Sequence, residues 1–91
     1  MALLSQSEID ERLKDMDGWE QKDNQISKKF TNKDFVGSLG FVTRVAVLAE
    51  KADHHPDILI EYKNVTLTLS THSEGGLTEK DFKLAGQIEA L

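Results

Sequence analysis

The chain has 91 residues, of which 38% are hydrophobic and 30% charged, so its composition favours one small soluble domain and excludes a disordered chain. The net charge of −5 argues against nucleic-acid phosphate as the main partner, because such binding rests on clustered Lys and Arg. There is no cysteine, which excludes disulfides and thiolate metal sites. The chain shows no signal-peptide pattern and no membrane-length apolar run, so we expect a single cytoplasmic domain over residues 1–91.

The first 30 residues predict a helix followed by a β-hairpin. Ser5 and Glu8 have the spacing of a capping box, which predicts a short helix from about Ser5 to Lys14. Asp17-Gly18 is typical of a turn. Residues 19–22 and 25–30 then form two short predicted strands on either side of Asp23-Asn24.

The segment from Thr31 to about Ala52 predicts the longest helix, which Pro56 prevents from continuing. It carries two apolar stripes at helical spacing, the first formed by Phe35, Leu39, Val42, Ala46 and Ala49 and the second by Phe41, Val45 and Leu48. A helix that is apolar on two sides is usually buried on two sides. One side is expected to cover the sheet, and we interpret the second stripe as a homo-oligomer interface.

The remaining residues predict a second hairpin and a last helix. Residues 58–62 and 65–69 are the predicted strands, with Lys63-Asn64 as the loop between them. Thr78, with Asp81 three residues later, has the pattern of a helix start, and this helix runs towards Leu91. The resulting order predicts an α+β fold, a four-stranded antiparallel sheet with three helices packed on one face.

The three histidines of the chain are His54, His55 and His72. If Lys63-Asn64 is the loop, Tyr62 faces Val65, and continuing the count places His55 opposite His72. Opposed residues of an antiparallel pair have Cβ atoms about 5 Å apart, so the register predicts a histidine cluster at the open end of the hairpin.

Such a cluster suits proton transfer, because the unperturbed pKa of histidine is the closest to neutral pH. Glu50 lies four residues before His54, one turn earlier if the helix persists to that point, and Asp53 and Asp81 are further acids near the cluster. A nearby carboxylate can orient an imidazole. Three alternatives stay open: chance surface histidines, a zinc site, and Asp81 as a capping residue only. The zinc site is disfavoured because adjacent residues of an extended segment point to opposite sides.

The segment Glu50-Lys51-Ala52-Asp53-His54-His55-Pro56 resembles the signature of the pterin-4a-carbinolamine dehydratases. Tyr62, His72 and Asp81 follow at the spacing of that family, and the order of helices and strands fits it over essentially the whole chain. In one departure, Ile58 stands where some relatives have a Trp, so an aromatic wall for the pterin is absent or supplied elsewhere.

The resemblance implies a lyase that eliminates water from 4a-hydroxy-tetrahydropterin and gives quinonoid dihydropterin, in tetrahydropterin recycling after an aromatic amino-acid hydroxylase. It implies no metal or other cofactor, and a homodimer or homotetramer. His54 and His55 match the paired histidines and are expected to perform acid–base catalysis, with His72 binding or orienting the pterin. The residues that the resemblance implies around the substrate are Glu50, Asp53, Ser70, Thr71 and Asp81.

The main alternative function is a non-catalytic one. Some animal members of the family also act as dimerisation cofactors for a transcription factor, binding through helices. The second apolar stripe of the longest helix, Phe41, Val45 and Leu48, would also suit such a contact, although we interpret it as the homo-oligomer interface.

Overall fold

The structure, a computed structural model, describes residues 2–91. Three helices alternate with two hairpins over this range, as predicted. The elements in chain order are α1 (Gln6–Leu13), β1 (Glu20–Lys22), β2 (Gln25–Thr31), α2 (Phe35–Ala52), β3 (Asp57–Glu61), β4 (Asn64–Leu69) and α3 (Glu79–Glu89). The strands form one antiparallel sheet in the order β1-β2-β4-β3. The predicted α+β class is therefore confirmed, and β3 is an edge strand. No helix within residues 2–91 is both long and apolar enough to cross a membrane.

Local side-chain bonds explain where the helices start. The hydroxyl of Ser5 accepts from the Glu8 N–H at 3.1 Å, and the Glu8 carboxylate accepts from the Ser5 N–H at 2.9 Å. Thr78 and Asp81 form the equivalent capping box at α3, and Asp34 caps α2. Each bond satisfies a backbone donor that the first helical turn leaves free, so these starts are encoded within a few residues.

The register of the second hairpin differs from our prediction. Glu61 pairs with Asn64 and Ile60 with Val65, so the loop is Tyr62-Lys63 and not Lys63-Asn64. Tyr62 adopts a left-handed φ of 57°, which costs about 1–2 kcal/mol for a residue with a Cβ. Two hydrogen bonds offset that cost, from the Ser38 hydroxyl to the Tyr62 carbonyl and from the Asn32 N–H to the Lys63 carbonyl, each 2.7 Å long.

The shift moves every β3 residue by two positions along β4. Two positions is one full side-chain repeat of a strand, so the apolar face is unchanged, with Ile58 opposite Leu67. The predicted pairing of His55 with His72 is wrong, however. Continuing the observed register places His55 opposite Ser70.

The core lies between the helices and this apolar face of the sheet. Phe41 of α2 meets Phe30 of β2 with ring centroids 4.9 Å apart, which fixes the side of α2 that faces the sheet. The buried hydrophobic cluster comprises Ile9, Trp19, Ile26, Phe41, Val45, Val65, Leu67, Leu69, Leu77, Phe82, Leu84, Ala85 and Ile88.

The assignment of the two α2 stripes was wrong. Phe41 and Val45, interpreted as an oligomer interface, are buried within the chain at 7% and 0% exposure. Phe35 and Leu39 of the other stripe are 50% and 45% exposed, and Val36 beside them is 76% exposed. The hydrophobic period identifies apolar faces but does not say which face the sheet covers, and here the contact with Phe30 decides it.

Candidate active site

At the end of α2 the side chains of His54 and His55 point in different directions. Asp53 takes a left-handed φ of 49°, and its N–H still bonds back into the helix. The His54 N–H reaches the Ala49 carbonyl at 3.1 Å, which closes the helix end. His54 is therefore turned inward and is 8% exposed, whereas the side chain of His55 is 57% exposed.

His54 bonds to a fully buried carboxylate. Its Nε2 lies 2.6 Å from Oδ1 of Asp81, which is 0% exposed. The second oxygen of Asp81, Oδ2, accepts from the Thr71 hydroxyl at 2.8 Å and from the Thr78 N–H at 3.0 Å. Asp81 is thus both the third residue of the α3 capping box, through Oδ2, and the partner of His54, through Oδ1.

The donors around Asp81 define the direction of the hydrogen bonds. The Thr71 hydroxyl donates to Asp81, so at its 2.8 Å contact with the Thr78 hydroxyl it accepts. An ionised carboxylate is an acceptor only, and His54 therefore donates through Nε2–H. Donation through Nε2 leaves Nδ1 of His54 as the nitrogen available for proton exchange, in the way that carboxylates orient imidazoles at metal sites.

His55 has a separate partner. Its Nε2 lies 2.5 Å from Oε2 of Glu50, one helical turn back on α2. The sequence suggested Glu50 as a partner for His54, but the left-handed residue Asp53 reverses the chain and places His55 there. Both members are largely exposed, with side-chain exposures of 57% and 75%.

The other predicted site residues are not joined to these pairs. His72 begins a short 3-10 turn, His72–Glu74, and is exposed. The Ser70 hydroxyl donates to the Asn24 carbonyl at 2.8 Å, which ties the end of β4 to the first hairpin loop. Asp53 is exposed and contributes its backbone to the helix end.

Thr71, predicted to lie around the substrate, is buried. Its hydroxyl donates to Asp81. Its N–H donates to the Gly76 carbonyl at 2.9 Å. The contacts that link Thr71, Asp81 and His54 join the segment after β4, α3 and the end of α2, and no local sequence signal identifies them.

Within residues 2–91 no group of three or more His, Asp or Glu side chains has the arrangement of metal ligands. A cavity of about 590 Å³ instead lies between α2 and α3, with His54 in its wall. Its other lining residues include Lys51, Lys80 and Lys83, for which the sequence suggested no function. The i, i+3 spacing of Lys80 and Lys83 is visible in the sequence, but their nearness to Lys51 depends on helix packing.

A model of the family "Pterin 4 alpha carbinolamine dehydratase" matches residues 2–91. The chain belongs to this family. A protein from Roseiflexus castenholzii with the provisional name pterin-4-alpha-carbinolamine dehydratase is 53% identical over 99% of this chain and 97% of its own length. A protein of the same provisional name from Sulfolobus acidocaldarius is 46% identical over 97% of both chains.

The fold of the family is also found in a crystal structure. A transcriptional coactivator/pterin dehydratase from Brucella melitensis superimposes with a TM-score of 0.93 at 43% identity, over 98% of this chain and 97% of that one. A pterin dehydratase-like protein described as a RuBisCO assembly factor shares the fold more distantly, with a TM-score of 0.65 and 23% identity over 79% and 83% of the two chains. The resemblance stated from the sequence is therefore confirmed at the level of the family.

Proposed function

We propose that this chain is a hydro-lyase that converts 4a-hydroxy-tetrahydropterin to quinonoid dihydropterin in cytoplasmic tetrahydropterin recycling. The observation that carries the proposal is the buried His54–Asp81 contact in a chain of this family. In the reaction the carbon–oxygen bond at C4a breaks, and the hydroxyl receives a proton and leaves as water. Loss of a proton from the adjacent ring nitrogen completes the carbon–nitrogen double bond. Neither half of this reaction calls for a metal or another cofactor.

We assign the proton donor to His55. It is accessible to a ligand, and Glu50 holds its Nε2 while Nδ1 makes no hydrogen bond with residues 2–91. A histidine suits this step because general acid catalysis is most efficient when the pKa lies near the working pH.

His54 is the acceptor of the ring-nitrogen proton in this proposal. Asp81 holds its Nε2–H, so a neutral His54 has its lone pair on Nδ1. Asp81 also stabilises the imidazolium that forms when Nδ1 takes the proton, without being protonated itself. Thr71 and Thr78 keep Asp81 in place, and His72 and Ser70 stay candidates for binding the pterin at the end of β4.

A homo-oligomer is part of the proposal, with a different surface from the one the sequence suggested. The exposed apolar residues of α2 are Phe35, Val36 and Leu39, and edge strand β3 exposes Leu59 at 54%. The bond from Ser38 to the Tyr62 carbonyl holds the loop after β3 against the first turns of α2. An unpaired strand edge and an exposed apolar helix face both favour association with a second copy.

The direct test is product formation. Freshly generated 4a-hydroxy-tetrahydropterin is mixed with the chain, excess dihydropteridine reductase and NADH, and NADH oxidation reports quinonoid dihydropterin. The proposal predicts that NADH oxidation accelerates in proportion to the concentration of the chain. If it does not, the non-catalytic binding function becomes the better account, and recovery of a stoichiometric partner protein would then support it.

A further inference from the structure

The cavity between α2 and α3 has the volume and the apolar lining of a small-molecule site. Its volume of about 590 Å³ falls inside the range of about 300–1,000 Å³ typical of ligand pockets. Leu48 and Ala52 of α2 and Leu84 of α3 give it an apolar lining, and His54 forms part of the wall. His55 and His72 do not line it, so the cavity meets the proposed active site only at His54.

The polar part of the lining is cationic. Lys51, Lys80 and Lys83 all line the cavity, and none of them forms an ion pair with another residue in the 2–91 range. The acid beside them, Glu79, is already paired with Arg12 of α1. This concentration of positive charge occurs in a chain whose net charge is −5.

The three ammonium groups repel one another. Lys80 and Lys83 are three residues apart on α3, so they lie on the same helix face and their like charges repel. Lys51 approaches the same space from α2. A bound anion would convert the repulsion among these three groups into attraction.

We propose that the α2–α3 cavity binds a small amphipathic anion. An aromatic or other flat apolar body would lie on Leu48, Ala52 and Leu84, and its carboxylate or phosphate group would lie among the three lysines. The ligand would also contact His54, whose opposite edge bonds to Asp81. This site does not depend on the chain being a dehydratase.

The test uses two probes of nearly the same shape. The first is 1-anilinonaphthalene-8-sulfonate, and the second is N-phenyl-1-naphthylamine, which lacks the sulfonate. Fluorescence titration of the full chain is expected to give at least about tenfold tighter binding of the sulfonate, on the scale of one or two charge-assisted contacts. Displacement by 1-naphthoate and by 1-naphthyl phosphate then separates a carboxylate ligand from a phosphate ligand.

Variants locate the site. Lys51→Gln, Lys80→Gln and Lys83→Gln combined are expected to abolish the preference for the sulfonate. A variant with Lys22, Lys33 and Lys63 changed to Gln has the same net charge and is expected to keep it.

The ring signals of His54 in NMR spectra are expected to shift on titration, while those of His72 stay unchanged. Equal affinity for the two probes would overturn the proposal. So would equal loss of preference in both triple variants, or shifts confined to residues outside the cavity.

Discussion

Nε2 of His54 and Oδ1 of Asp81 are 2.6 Å apart inside the protein, and they join the end of α2 to the first turn of α3. The same carboxylate accepts two further hydrogen bonds, from Thr71 and Thr78. With no buried side-chain donor or acceptor unpaired among the described residues, this polar cluster is fully satisfied. A fully satisfied network makes its surroundings rigid, so Asp81 is expected to hold His54 in a fixed orientation.

Asp81→Asn is expected to destabilise the fold by about 1–3 kcal/mol, because the amide nitrogen cannot accept the bonds that a carboxylate oxygen now accepts. Chemical denaturation measures this change. Asp57→Asn, at an exposed position, is the matched control and is expected to have little effect. Equal midpoints for the two variants would contradict the importance we give to the Asp81 network.

Thr71→Val is expected to lower the catalysed rate by loosening Asp81 and, through it, His54. Thr71→Ser keeps the hydroxyl and is expected to restore most of the rate. Nitrogen NMR of the His54 ring separates this positioning role from a general loss of structure. The valine variant should lose the preference for the Nε2–H form, and the serine variant should keep it. An unchanged tautomer in the valine variant would show that Thr71 does not act through Asp81.

Sequence reasoning predicted what depends on neighbouring residues. The helix starts at Ser5 and Thr78 were predicted because each capping box lies within four residues. The first hairpin was predicted because Asp23-Asn24 forms its loop, with Lys22 paired to Gln25. For the residues that stay in the two strands, the apolar face is unchanged, because a shift of two residues is one full side-chain repeat. Tyr62 leaves that face and becomes a loop residue.

What the sequence did not predict depends on tertiary contacts. The loop at Tyr62-Lys63 is stabilised by Ser38 and Asn32, which are distant in sequence. The partners of His54 and His55 follow from the left-handed conformation of Asp53, which is not a glycine and carries no strong local signal. The capping role of Asp81 was visible in the sequence, whereas its contact with His54 required the packing of α3 against α2.

Leu39→Glu is expected to shift the protein from an oligomer to a monomer, because it places a charge in the exposed apolar face of α2. Light scattering coupled to size-exclusion chromatography measures the mass. Ser7→Glu, at an exposed position on α1, is the control for added charge. A native chain that is already a monomer would exclude this part of the proposal.

Stability is expected to fall with acid partly through Glu8. The hydrogen bonds from the backbone and side chain of Ser5 lower the pKa of the Glu8 carboxyl below its ordinary value of 4.5. A carboxyl whose pKa is lower in the folded state stabilises the fold above its unfolded pKa, and this contribution is lost as the pH falls through the folded value.

Glu8→Gln removes this titration. The difference in free energy of unfolding between the native chain and the variant should therefore shrink as the pH is lowered from neutral to below 4.5. Urea denaturation across that range measures it. A difference that stays constant with pH would contradict the role assigned to the charged Glu8.

In the proposed mechanism the histidines accelerate the dehydration. This is measured by stopped-flow ultraviolet absorbance of freshly generated 4a-hydroxy-tetrahydropterin, with the native chain, with His55→Ala and with a variant that has His54, His55 and His72 all changed to alanine. We expect faster decay with the native chain, at least about tenfold slower catalysis by folded His55→Ala, and none by the triple variant. Equal decay rates with the native chain and the folded triple variant would contradict the account.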